Sequence, residues 1–283
     1  MKTIRRVLLI VNLHKKDAAP LAEQIVRVLE KRGLEVSVFG FNGKPERETG
    51  NDFDIAFSLG GDGTVLYAAR EMAPFDIPIL PINLGTLGFI AAVHPDEWEQ
   101  VFAAYLDESV CVSERLMLDI WVERGDKEVF RCRGLNDAVI TSDGISKIIR
   151  LHVGGDKIKL GHYRSDGLIV ATPTGSTAYS VAAGGPILDP EMEAVILNPI
   201  CPFTLSNRPI VVPSHEIICV EIEAEQRSGV LLTVDGQVVE HLEPRDKVYI
   251  QKAPNKAKLI ASDRTVFYTV LRSKLNWSGG PDA

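Results

Sequence analysis

Apolar residues in the first hundred positions fall into short unbroken runs separated by stretches with helical spacing. Val7 to Val11 reads as a buried strand, and a helix follows from about Ala18 to Arg32 with Leu21, Ile25, Val28 and Leu29 along one face. Gly33 closes it as the residue after the C-cap. Leu34, Val36 and Val38 alternate with polar residues as a second strand, and Phe41 to Asp52 is a polar loop. Ile55 to Leu59 is the next strand. Val65 to Arg70 then opens a helix, with Thr64 expected as its N-cap. Ile77 to Ile82 is another strand, ending in a glycine-rich turn from Asn83 through Leu87 to Phe89, and a helix is expected around Pro95 to Leu106. Alternating strands and helices imply a parallel sheet whose ligand site lies at the strand C-termini, so both glycine turns share one edge.

After about residue 108 the pattern becomes short alternating runs: Leu116 to Val122, Val129 to Cys132, Ala138 to Thr141, Lys147 to Val153, Ile218 to Ile222, Val230 to Val234 and Lys247 to Gln251. Turn signals such as Gly125-Asp126 and Asp235-Gly236 separate them, which predicts a β-sandwich or related all-β domain. Two domains follow. The periodicity does not assign the last stretch, Thr265 to Trp277.

At 283 residues, 45% hydrophobic and 24% charged, the chain has the composition of a folded globular protein. Its net charge of −7 argues against sequence-independent nucleic-acid binding, so any phosphate site must be made locally. The four cysteines have no metal or redox spacing and read as reduced core thiols; the six histidines form no close pair that suggests zinc. The apolar run after Arg6 is too short for a signal peptide, and no 18-residue apolar segment appears, which predicts a cytoplasmic protein with no membrane partner.

Chemistry concentrates at Gly60-Gly61-Asp62-Gly63-Thr64. Glycines at a strand-to-helix junction let main-chain amides approach an anion, and the helix N-terminus favours negative charge. A carboxylate there repels phosphate, so Asp62 should have an offsetting task, such as orienting a hydroxyl nucleophile or meeting magnesium. Neither the Walker spacing nor the three-glycine dinucleotide fingerprint fits. Alone, the segment is equally compatible with an ordinary turn.

A second unusual run, Arg164 through Ser180, has five Ser or Thr residues in the nine positions from Thr172 to Ser180, and is followed by Gly184-Gly185-Pro186. Its amides and hydroxyls suit phosphates or a nucleotide. Asn136-Asp137 offers an amide beside a carboxylate, a pair able to hold ribose hydroxyls or a base edge.

Together these motifs, with Asn83-Leu84-Gly85, Leu87-Gly88-Phe89, Ser206-Asn207-Arg208-Pro209-Ile210, Asp235-Gly236-Gln237 and Lys274-Leu275 with Trp277, resemble the NAD kinase family over nearly the whole chain. The resemblance implies an α/β domain over 1–108, a β-sandwich NAD-binding domain over 109–262 and a segment, 263–283, returning to the first domain, with NAD in the cleft between the two. It implies phosphorylation of NAD to NADP at the adenosine-ribose 2′-hydroxyl. The donor is ATP or, in some members, polyphosphate, used with a divalent metal, usually magnesium, in a homodimer or homotetramer. Asp62 is then the catalytic residue, and Gly60, Gly61, Gly63 and Thr64 bind the donor phosphates. Asn136 and Thr177 contact adenine, Asp137 the ribose, Phe89 walls the adenosine, and Asp166 with Ala178 meets the nicotinamide end beside Tyr179. Arg164, Thr174, Gln237 and Gly63 complete the NAD set. Asp137 departs from the family, where many members have Glu. Lipid kinases of the diacylglycerol and sphingosine type share the glycine loop, as do phosphofructokinase-like enzymes, and a catalytically silent nucleotide-binding regulator is the reading from another class. Asp62 argues against the regulator, because a pure binder would gain affinity by losing this charge.

Overall fold

The computed structural model describes residues 3–43, 50, 52–86, 88–144, 147–155, 159–204 and 207–275, so Leu87, Ser206 and Trp277 of the sequence motifs lie outside it. The chain forms two compact units, Met1–Arg115 with Asn255–Ala283, and Leu116–Pro254.

The first unit is built on one six-stranded sheet, in the order Glu35–Phe41, Arg6–Asn12, Ile55–Gly60, Ile79–Asn83, Ala257–Ile260, Val112–Arg115. All neighbours are parallel except the last pair. Ile55–Gly60 and Ile79–Asn83 are buried at every position, as expected for parallel strands covered on both faces. Ile25 and Leu29 of the helix Ala18–Lys31 and Trp98 and Phe102 of the helix Trp98–Leu106 join Leu9, Phe57 and Leu80 in one core. The chain leaves Arg6–Asn12 towards one sheet edge and Ile55–Gly60 towards the other. The carboxyl ends at Asn12 and Gly60 therefore flank a topological switch point, where open α/β sheets bind ligands. The unit extends past the borders expected at 108 and 262, because the four-residue strands Val112–Arg115 and Ala257–Ile260 pair with each other in this sheet.

The helix after the glycine loop runs Asp62–Met72 and is capped by Gly61, which corrects the assignment of Thr64 as N-cap. Gly61 is extended (φ −124°, ψ −166°), and its carbonyl accepts N–H from Thr64 and Val65, so the first turn already contains Asp62. An acidic residue suits that first turn, at the positive end of the helix dipole.

The second unit pairs two six-stranded antiparallel sheets. One runs in the order Lys159–Ser165, Ile149–Gly155, Ile218–Ile222, Lys247–Lys252, Leu118–Arg124, Lys127–Gly134. The other runs Ile210–Pro213, Ala194–Ile200, Gly167–Ala171, Asp137–Ser142, Val230–Val234, Val238–Leu242. Alternate residues from both, including Ile120, Val122, Leu151, Val153, Ile140, Val170, Leu232 and Val234, meet in one core, the packing of a β-sandwich. On its other face the second sheet carries Val139, Ile169, Ala171 and Ile196, packed with Leu188 and Ala183.

All four cysteines are reduced thiols, but Cys111 and Cys201 are exposed and Cys132 and Cys219 only half-buried, so they are not the core residues expected from sequence. Cys201 ends a strand at φ 44°, where the backbone turns out to solvent. Among the described residues no helix is long and apolar enough to cross a membrane.

Candidate active site

In the first unit the Asp62 carboxylate joins the two glycine turns. Oδ2 accepts the Phe89 N–H at 2.9 Å, and Oδ1 accepts those of Ile90 (3.2 Å) and Ala91 (2.9 Å). A carboxylate offers about four lone-pair sites, so one remains for a ligand. Gly88 is buried against the same group, and a Cβ there would overlap the Asp62 carboxylate. Gly60 is equally constrained: a Cβ would overlap the Thr64 hydroxyl and lie 3.3 Å from Asn12 Cβ. The Thr64 hydroxyl is buried with no hydrogen-bond partner, an arrangement that costs free energy unless a ligand supplies one. Gly63 is exposed in the first helical turn. Asn83 shapes the second turn, donating from Nδ2 to the Thr86 carbonyl and accepting the Gly85 N–H. Lys15, in the loop after the first strand, brings its ammonium to within 3.4 Å of where a Gly85 Cβ would sit, so a cation is present at this edge despite the net negative charge. Phe89 is half-buried, 6.2 Å from the Phe267 ring, with Lys274 Nζ 5.0 Å from its centroid.

In the second unit a cleft of about 430 Å³ is lined by Asn136, Asp137, Val139, Thr141, Ala178, Tyr179, Thr233, Asp235 and Gly236. The run predicted to hold a nucleotide reaches this cleft at Ala178 and Tyr179 and is tied to Leu135 and Asn136 by a specific set of bonds. Where Gly167–Ala171 ends, Thr172 donates its N–H to Asn136 O (2.8 Å) and its hydroxyl to Leu135 O (2.6 Å). Gly175 then sits so close that a Cβ would overlap the Asn136 carbonyl. Inside this tight crossing, Asn136 Oδ1 and Thr174 Oγ1 are buried and unpartnered. Thr177 donates its hydroxyl to Thr174 O, and Tyr179 stands 47% exposed at the rim. Asp137 is 4% exposed; burial, with the Asp235 carboxylate beside it, pushes its pKa up to about 7.

Family models for the ATP-NAD kinase N-terminal domain match residues 42–110, and those for its C-terminal domain residues 135–262. An NAD kinase of Treponema denticola is 42% identical over 98% of both chains. The chain belongs to the NAD kinase family. Among solved structures, yeast NADH kinase complexed with NADH is similar with TM-score 0.84 and 25% identity, over 99% of this chain and 90% of that one. An NAD kinase from Archaeoglobus fulgidus in complex with ATP gives 0.75 and 26%, over 97% and 100%.

Within this NAD kinase fold, Asp62, Gly60, Gly61, Gly63, Thr64 and Phe89 gather in the first unit, and Asn136, Asp137, Thr174, Thr177, Ala178 and Tyr179 in the second. Arg164 and Asp166 do not join the Thr172–Ala178 segment. Asp166 precedes the Gly167–Ala171 strand, and Gly167 pairs with Thr141 while Ala171 pairs with Asp137. Roughly 14 Å of strand thus separates the two ends. The Arg164 guanidinium lies 5.3 Å from the centroid of the Phe203 ring, and Gln237 follows the Asp235-Gly236 turn, half-buried. Sequence reasoning missed Lys15, Val139, Thr141, Thr233 and the role of Asp235. The strand period of two, which puts residues 137, 139 and 141 on one face, was the signal available for two of them.

Proposed function

We propose that the protein transfers the γ-phosphoryl group of ATP to the 2′-hydroxyl of the adenosine ribose of NAD, giving NADP. The observation that carries this reading is the Asp62 carboxylate, fixed by three amides at a sheet switch point with one acceptor site left over. Such a group can hold one hydroxyl in one direction. As that oxygen attacks the terminal phosphorus and the bond to the departing diphosphate breaks, Asp62 takes the hydroxyl proton. Gly60, Gly61, Gly63 and Thr64 cradle donor phosphates at the helix N-terminus, where the buried Thr64 hydroxyl gains a partner. Asn136, Thr174 and Thr177 take the adenine end of NAD, supported by the unpartnered Asn136 and Thr174 oxygens, while Asp137 takes ribose hydroxyls.

Magnesium, when bound, neutralises charge on the transferring group. No group of three or more His, Cys, Asp or Glu among the described residues is placed to hold a metal ion. The described residues therefore offer no such cage, and the ion would be carried mainly by the phosphates of the donor. The homodimer or homotetramer is part of the proposal: Asp166 and Arg164 lie at the far end of the Gly167–Ala171 strand, which supports their serving the nicotinamide end of a site on another copy. The cysteines, all present as reduced thiols, suit a reducing compartment and support a cytoplasmic site of action. The lipid-kinase and silent-regulator readings are not favoured by the NAD kinase relatives.

The test is NADP formation from NAD, ATP and magnesium, with diacylglycerol as competing acceptor and with the 2′-deoxyadenosine analogue of NAD. The analogue should bind and accept no phosphate; its turnover, or preferential phosphorylation of the lipid, overturns the reading.

A further inference from the structure

The turn Asp235-Gly236-Gln237 joins two antiparallel strands paired at Val234 and Val238, with Asp235 and Gly236 both in the left-handed region (φ 52° and 65°) and the Gln237 N–H donating to the Val234 carbonyl. A turn needs no more from Asp235 than tolerance of that backbone. Its side chain does more. It is buried, with Oδ2 accepting the N–H of Leu135 at 2.9 Å and Oδ1 accepting those of Asn136 (2.7 Å) and Asp137 (3.2 Å). The Asp235 N–H in turn donates to the Asp137 carbonyl at 3.0 Å. Thr172 grips two of the same residues from the other side, through the Leu135 and Asn136 carbonyls. The backbone of 135–137 is thus held on both its N–H and its C=O groups, and Gly134 leaves no slack, since a Cβ there would lie 3.1 Å from Asp235 Oδ1.

We infer that Asp235 is a positioning residue for dinucleotide binding: by clamping the amides of Leu135, Asn136 and Asp137 it aims the Asn136 amide and the Asp137 carboxyl into the cleft. This rests on the reading that the cleft takes the adenosine part of NAD. The clamp has an electrostatic consequence. Asp235 is the charged group that acts on Asp137, and the rest of the cleft facing it is the Tyr179 phenol, the Thr141 and Thr233 hydroxyls and the Asn136 amide. With burial, this holds Asp137 partly protonated near neutral pH. The carboxylate accepts ribose hydroxyls on both oxygens with the assistance of its charge, and protonation turns one of those oxygens into a donor, so affinity for NAD rises as pH rises through about 7 and levels off above it.

Asp235→Asn tests this, because Asn tolerates the left-handed turn yet removes the charge and turns one amide-accepting oxygen into a donor. KM for NAD should rise about tenfold or more, the loss falling on KM and less on kcat. The pH midpoint of KM, and the midpoint of the Asp137 carboxyl followed by carbon NMR in the ligand-free protein, should fall by about one unit or more. A KM within twofold of the parent, or an unmoved carboxyl midpoint in a folded variant, overturns the inference. Should that variant not fold, Asp137→Asn decides: the pH dependence of KM should flatten, and a persisting midpoint near 7 overturns it. If the parent forms no NADP, the reading of function fails, while the carboxyl titration still decides the clamp.

Discussion

Asp62→Asn is the substitution that most directly separates catalysis from architecture, and the structure changes what it should do. As a turn residue, Asp is well replaced by Asn. Here, however, the carboxylate accepts three main-chain N–H groups with two oxygens. An amide oriented with its oxygen on Ile90 and Ala91 points its NH2 at the Phe89 N–H, donor against donor. One half-buried donor is left unsatisfied, at about 1–3 kcal/mol, and the two remaining bonds lose their charge assistance. A total of about 2–4 kcal/mol follows, which for a unit of this size lowers its unfolding midpoint by roughly 5–10 °C.

Loss of the proton acceptor adds a chemical term of about 10² to 10⁴ in kcat. The two terms separate by temperature. Calorimetry locates the unfolding transition, and kcat is then measured well below it, where parent and variant are both folded. An architectural Asp62 gives a lowered midpoint with kcat recovering to within about tenfold in the cold. A reacting Asp62 gives the same lowered midpoint with the kcat deficit intact, and KM for ATP no worse, because a negative charge has left the phosphate site. An unchanged midpoint refutes the three-amide anchor, and cold recovery of kcat refutes the proton-acceptor role.

Gly88→Ala drives a methyl into the Asp62 carboxylate and should lower both the midpoint and kcat by breaking the same three bonds; parent-like activity by the NADP assay contradicts the geometry. Gly175→Ala meets backbone rather than a side-chain end, so calorimetric binding of NAD should weaken by about tenfold or more, and unchanged binding removes the crossing from the site. Asp137→Asn should change the pH dependence of stability. The folded pKa is raised to about 7, so between about pH 4 and 7 the native state keeps a proton the unfolded chain has lost, and stability falls as pH rises, by of order 4 kcal/mol in total. Urea midpoints of the variant relative to the parent should therefore improve from pH 5 to pH 8, and parallel curves refute the buried-carboxyl assignment.

Most of the layout was legible because it is local. The runs at Val7 to Val11 and Ile55 to Leu59 are apolar on both faces, and Leu118, Ile120 and Val122 alternate, so periodicity suffices for each. The edge strands Val112–Arg115 and Ala257–Ile260 were not legible, since four residues give too little pattern and their pairing spans more than 140 positions. The N-cap was misassigned for a local reason: Thr and Gly are about equal as caps by propensity, and it is the carbonyl of an extended Gly61 that captures the amides of Thr64 and Val65. The carboxylate-to-amide bonds of Asp62 and Asp235, which cross 27 to 29 and 98 to 100 positions, leave no trace in any window of sequence.

Those two aspartates use one device for different ends. Each precedes a glycine at a turn, and each accepts three successive backbone amides from a distant segment. At Asp62 the gripping carboxylate is also the group proposed to take the proton, so position and chemistry reside in one side chain, and even an isosteric change damages both. At the cleft the tasks are divided: Asp235 grips, and Asp137, whose backbone is held for it, faces the cleft. A side chain that does not anchor its own segment is free to vary in length. Asp137 is thus relieved of an anchoring task, whereas at Gly236 the left-handed backbone favours glycine and at Gly60 the Thr64 hydroxyl leaves no room for a Cβ.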